Sequence, residues 1–216
     1  MSQAGTLRHL CDATCVMVVL PGALMTPQQM VQAGLFEAVQ KRRLALDMMA
    51  LDLHALDGGN RAALETLEVE VLAPARAKYQ QVWLAGISRG GQLALSCLAE
   101  QAGHVDGMCL LAPYPGSRLT INVIRRAGGL DEWKPTDEQL LDPEFRLWQW
   151  LKNPSVDVPL FVGHGTQDRF SDGMQLLAEC LPPTATYRTL PGGHDWPVWL
   201  ALWSQFLDLG FFRARP

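Results

Sequence analysis

The chain has 216 residues, 48% hydrophobic and 19% charged, with a formal net charge of −4. That suits one domain with a large core and leaves no basic footprint for nucleic acid. No apolar run approaches the roughly 20 residues that a membrane span needs. The five cysteines, Cys11, Cys15, Cys97, Cys109 and Cys180, are scattered with no C-x-x-C pair, as expected of reduced thiols in a cytoplasmic protein. No His, Cys or carboxylate cluster has ligand spacing, so neither metal nor cofactor is implied.

The run Cys15-Val16-Met17-Val18-Val19-Leu20 reads as a buried strand, too short for the core of a signal peptide and followed by no small-residue cleavage site. Thr26-Pro27 opens a helix over 27–41, the threonine as cap and the proline in the first turn. Further strands are expected near 44–52, 81–86, 105–112, 158–163 and 185–190, with helices near 60–79, 89–102, 171–181 and 196–208. Near-continuous apolar strands separated by helices predict an α/β/α sandwich around six parallel strands joined by right-handed crossovers. The chain reads as a single domain over 1–216, interrupted once. From about 114 to 157 no strand is expected, and Leu141-Asp142-Pro143-Glu144 starts a capped helix that runs to about Lys152.

Between the strand at 81–86 and the helix at 89–102 stands Gly86-Ile87-Ser88-Arg89-Gly90. A strand, a G-x-S-x-G turn and a helix make a nucleophile elbow, which holds its serine clear of the sheet edge. The bland alternative is a glycine-rich turn carrying an ordinary serine.

A serine hydroxyl needs a histidine to take its proton and a carboxylate to orient that histidine, in the chain order Ser, Asp or Glu, His. His9 and His54 precede the serine. His104 would enter a strand from its N-terminal end, and His164 lies in or at the end of a strand. His194 remains, in the loop Leu190-Pro191-Gly192-Gly193-His194-Asp195-Trp196. The acid expected from the loop after the strand at 158–163 is Asp168, with Asp172 in reserve as the alternative cap of the next helix. Asp157 precedes that strand, and Asp195 is expected to cap the last helix or stay solvated.

These three segments, Gly86–Gly90, Gly163-His164-Gly165 through Asp168, and Gly192-Gly193-His194-Asp195-Trp196, resemble the α/β-hydrolases, over about Val16 to Phe206. The resemblance implies that fold and a Ser88-Asp168-His194 triad, without implying a substrate. It also implies an oxyanion hole from the backbone N–H of Arg89 and a second N–H after the first central strand, Ala23 or alternatively Leu24. Many members have His-Gly where this chain has Pro21-Gly22, but a backbone donor survives that change. The segment at 114–157 sits where such enzymes insert a cap.

The expected activity is hydrolysis of a small carboxylic ester by a monomer or homodimer. The same triad would also serve an acyl thioesterase or acyltransferase, and a non-catalytic binding module is the remaining alternative. Leu24, Met25, Tyr114, Trp133 and Trp148 are candidate pocket residues. A short cap with bulky aromatics, each covering ~150–250 Å², should leave a small pocket for short acyl chains. Arg118, Arg125 and Arg126 either meet an anionic group or solvate a helix.

Overall fold

The strand expected at 15–20 occupies those same residues, β2 (Cys15–Leu20), and all six are buried. The structure, a computed structural model, describes residues 6–52, 59–100 and 105–215. Its other strands are β1 (Leu7–His9), β3 (Asp47–Ala50), β4 (Gln81–Ile87), β5 (Gly107–Leu111), β6 (Leu160–Gly165) and β7 (Thr186–Leu190). They form one sheet in the order β1-β3-β2-β4-β5-β6-β7, with β4 central, and every pairing from β3 to β7 is parallel.

Alternation along β2 divides the core. Val16, Val18 and Leu20 join one hydrophobic cluster, and Cys15, Met17 and Val19 join the other. Side chains two apart share a face of a strand, so each face needs its own helical cover. On one face α9 (Trp196–Leu207) supplies Leu202, Trp203 and Phe206, all fully buried. At about 1.5–3 kcal/mol for each large apolar side chain, burial of this kind holds the layers together. On the other face α5 (Arg89–Glu100) lies under α7 (Pro143–Leu151).

Six strands were expected, and there are seven. The added β1 pairs antiparallel with β3, Arg8 opposite Met49. Three half-exposed residues at a sheet edge carry too little alternation to be read from sequence. The helix expected over 27–41 is two, α1 (Pro27–Ala33) and α2 (Leu35–Lys41). Gly34 separates them with φ of 106°, and its N–H reaches the carbonyls of Met30 and Val31. A left-handed residue ends a helix there, and glycine takes that conformation without penalty.

The stretch expected as one helix over 60–79 is α3 (Gly59–Thr66), a π-helical segment (Leu67–Leu72) and α4 (Ala73–Lys78). Pro74 has no N–H for the carbonyl four residues back and crowds it, which a wider winding relieves. The segment after β5 holds α6 (Arg118–Arg126) as well as α7, which Asp142 caps through the Glu144 amide at 2.8 Å. Beyond these come α8 (Ser171–Glu179) and then α9. No helix among the described residues is long and apolar enough to cross a membrane.

Candidate active site

Parallel strands end at a common edge, and the loops leaving β2, β4, β5, β6 and β7 therefore meet there. β4 stops at Ile87 and α5 starts at Arg89, so Ser88 alone makes the turn, at φ 52°. A non-glycine residue in that region costs about 1–3 kcal/mol and persists only where its surroundings enforce it. They do so here. The Ser88 amide donates to the Leu111 carbonyl at 2.9 Å, and the Ser88 carbonyl accepts from the amides of Tyr114 at 2.9 Å and Gln92 at 3.1 Å. The flanking glycines permit the close packing: a Cβ on Gly86 would overlap the backbone of Gly90, and one on Gly90 the carbonyl of Leu20.

Asp168 follows β6 with its side chain fully buried. Its Oδ1 accepts from the Phe170 amide at 2.9 Å, leaving Oδ2 for His194. The loops carrying these two residues are joined by backbone, since Thr166 N–H donates to Leu190 O at 2.8 Å and Gln167 N–H to Gly192 O at 2.9 Å. His194 Nδ1 lies 2.5 Å from Asp168 Oδ2, and Nε2 lies 2.9 Å from Ser88 Oγ. A carboxylate only accepts, so Nδ1 carries the proton and Nε2 is free to accept the serine hydroxyl.

The other candidates are engaged elsewhere. Asp172 is exposed on α8 and pairs with Arg125 at 3.4 Å, and Asp195 caps α9 through the Val198 amide at 3.3 Å. His164 is buried in β6, Nδ1 donating to Gly165 O at 2.9 Å and Nε2 accepting from the Tyr187 hydroxyl at 2.6 Å. His9 meets Gln40 at 3.2 Å. His54 and His104 lie outside the described residues.

The structure resembles Est1E from Butyrivibrio proteoclasticus, at 16% identity and a TM-score of 0.63 over 95% of this chain and 98% of that one. A structure of Est1E with ferulic acid bound gives a TM-score of 0.65 at 13% identity, covering 94% of both chains. MenH from Staphylococcus aureus gives 0.63 at 16% identity, covering 96% of this chain and 97% of that one. No protein-family model matches the chain, and neither does any curated protein.

The chain has the α/β-hydrolase fold.

In that fold the loop after β2 borders the elbow, and a Cβ on Gly22 would stand 3.5 Å from Ser88 Cβ. The Met25 amide donates to Gly22 O at 3.1 Å, closing a turn through Ala23 and Leu24. Leu24 is 84% exposed with φ of 60°, a third-position conformation that such turns normally give to glycine. Among the described residues the amides of Ala23, Leu24 and Arg89 donate to no other group.

Two of the expected pocket residues belong to the core instead. Trp148 has no exposed surface and donates from Nε1 to Pro115 O at 2.8 Å, while Trp133 is 2% exposed and packs on Phe145 with ring centroids 5.7 Å apart. Side chains with no accessible surface line no open pocket. They fasten the segment after β5 onto the body. Tyr114 is half-buried beside Ser88, and Met25 is buried under the loop.

Two aromatic neighbours of the imidazole, and a third ring behind them, escaped the sequence reading. Phe170 and Trp199 each meet His194 edge to face, at 5.5 and 5.1 Å between ring centroids, and Trp196 abuts Trp199 at 5.2 Å. Phe170 lies two residues after Asp168, a proximity visible in the sequence. Trp199 reaches the site through the first turn of α9 and left no such signal.

Proposed function

We propose that the chain is a serine hydrolase that cleaves a small carboxylic ester through an acyl-enzyme. The observation that carries this reading is the hydrogen-bonded series Ser88 Oγ, His194 Nε2 and Nδ1, Asp168 Oδ2, at 2.9 and 2.5 Å. Ser88 Oγ attacks the carbonyl carbon as His194 takes its proton, and Asp168 holds the imidazole in the required tautomer and stabilises its charged form. The amides of Arg89 and Ala23, with Leu24 as alternate, receive the oxyanion, each such donor being worth ~2.7–4 kcal/mol in enzymes that use one. His194 then protonates the leaving alcohol. Water, deprotonated by the same imidazole, hydrolyses the acyl-serine and restores the hydroxyl.

Similarity to a ferulic acid esterase, at 16% identity and a TM-score of 0.62, supports a carbonyl ester as substrate. In this reading the enzyme works in the cytoplasm, where its five free cysteines stay reduced. The test is labelling with a fluorophosphonate and turnover of 4-nitrophenyl esters from acetate to dodecanoate. Wild type should be labelled, Ser88→Ala should be neither labelled nor active, and rates should peak between acetate and hexanoate. An unlabelled wild type, or full activity in a clean preparation of Ser88→Ala, would remove the reading. Stronger turnover of the matching thioesters, or transfer to an added alcohol or amine over water, would move it to thioesterase or acyltransferase.

A further inference from the structure

Ser88 and Asp168 are each followed in sequence by an arginine, Arg89 and Arg169. Both arginines are exposed, and each stands over an aromatic ring at the mouth of the site. The Arg89 guanidinium carbon is 5.7 Å from the Tyr114 ring centroid, and that of Arg169 is 4.7 Å from the Phe170 centroid. The two rings meet edge to face at 5.1 Å, and Phe170 in turn meets His194. Hydrogen bonds tie the backbone of both aromatic residues to the site, since the Tyr114 amide donates to Ser88 O and the Phe170 amide to Asp168 Oδ1. The two guanidinium groups are thus separated by one pair of rings, beside the serine.

Neither cation has a carboxylate partner among the described residues. Other arginines do: Arg42 holds Asp208, Arg125 reaches Asp172 and Arg146 reaches Glu100. Two acids face this corner, and both are engaged: Asp168 binds the Phe170 amide and His194, and Glu144 Oε2 accepts from the Ser117 amide and the Thr120 hydroxyl, both at 2.8 Å. Burial raises the pKa of the Tyr114 hydroxyl and Glu144 raises it further, while Arg89 and Arg169 both pull it down. Both arginines therefore act on the same ring, that of Tyr114 beside Ser88. With both acids engaged by other donors, the two guanidinium groups are left to meet an anion from solution.

We propose that the preferred substrate is an ester bearing a free carboxylate, held by the guanidinium groups of Arg89 and Arg169 while Ser88 attacks the ester carbonyl. The planar guanidinium fork matches a carboxylate in two parallel hydrogen bonds, and stacking on an aromatic face orients the fork before the anion arrives. The inference rests on the esterase reading above.

The test compares mono-4-nitrophenyl adipate with 4-nitrophenyl hexanoate, six-carbon acyl groups that differ in the terminal carboxylate. Wild type should favour the adipate in kcat/KM by roughly tenfold or more at low ionic strength, the scale of one or two charge-assisted hydrogen bonds. Added salt should reduce the preference, because exposed charges are screened. Arg169→Gln and the double variant with Arg89→Gln should bring the ratio towards unity, and Arg169→Glu should reverse it. Lys41→Gln, which removes the same charge beside Arg42 at the Asp208 end of α9, should leave the ratio unchanged. Equal or greater preference for hexanoate in wild type, or a ratio that both arginine variants leave unmoved, overturns the proposal. Should neither ester be cleaved, the esterase reading fails, and calorimetric titration of adipate into Ser88→Ala still tests the arginines. Adipate binding that Arg169→Gln abolishes sustains the pair as an anion site, and absence of binding removes it.

Discussion

His194 and Asp168 stand 26 residues apart in sequence, and Nδ1 of the one lies 2.5 Å from Oδ2 of the other. Asp168→Asn presents an amide to that nitrogen and favours the tautomer whose Nε2 cannot accept the serine proton. A triad Asp-to-Asn exchange elsewhere costs about 10⁴ in kcat with the geometry intact, and a loss of similar order is expected here. Asp172→Asn removes only an exposed pair with Arg125 and should change kcat by less than about twofold. Steady-state kinetics on a single 4-nitrophenyl ester checks both, and the opposite ranking would reassign the acid.

Gly90→Ala places a methyl group on the carbonyl of Leu20, which is backbone of the central sheet and cannot swing aside. Overpacking of this kind costs about 1–3 kcal/mol. For a chain of this size the thermal midpoint should fall by several degrees, at roughly 2–4 °C per kcal/mol. Fluorophosphonate labelling should fall with it because the elbow is displaced. A variant that melts with wild type would show that the elbow has more room than the structure gives it.

Asp47 sits at the start of β3, buried, where its carboxylate accepts from the amides of Cys11 at 2.8 Å and Ala13 at 3.2 Å and from the Tyr79 hydroxyl at 2.9 Å. Burial pushes its pKa up, but these hydrogen bonds outweigh burial and hold it below the usual carboxylate range. A depressed folded value means that the ionised group stabilises the fold above the unfolded pKa of about 3.9, and that this contribution is lost as pH falls through the lower folded value. Asp47→Asn should therefore lose roughly 1.5–3 kcal/mol at pH 7, with the gap to wild type narrowing below pH ~4. Urea denaturation across that range decides it. A gap independent of pH would mean that shape, not charge, is what matters there.

The cysteines are expected to be unreactive while the chain is folded. Burial pushes the thiols of Cys15 and Cys97 up to about 12 and Cys180 to about 11, and holds Cys109 well above its ordinary value. The thiolate is the reactive form, so iodoacetamide at pH 8 should modify the native chain slowly, half-buried Cys11 first, and take all five in urea. Rapid native alkylation at Cys97 would show that α5 opens.

Most of the site could be read from sequence because each of its polar members follows a strand. A strand's apolar run and the glycines after it are local, and parallel order then brings Ser88, Asp168 and His194 to one edge. What packs around them is not local. Trp133 and Trp148 look like pocket walls when counted as aromatics in an insertion, yet α7 turns Trp148 into the core and Trp133 packs on Phe145 of the same helix, and only the tertiary arrangement distinguishes the two outcomes. Trp199 becomes a neighbour of His194 only because Asp195 caps α9 at that point. The three residues of β1 were lost for the opposite reason, their pairing with β3 being clear in space and nearly silent in pattern.

Ser88 and its proton acceptor are 106 residues apart, and the acceptor hangs from the loop that follows the last strand to join the sheet. During synthesis the elbow can form long before β7 is available to dock against β6. In the proposed mechanism the hydroxyl has no base until that docking, so a nascent or misassembled chain would carry an inert alcohol in place of a reactive group. On that mechanism reactivity of Ser88 would report completion of the whole sheet, so recovery of labelling on refolding should trail the recovery of helical signal and coincide with closure of the final strand.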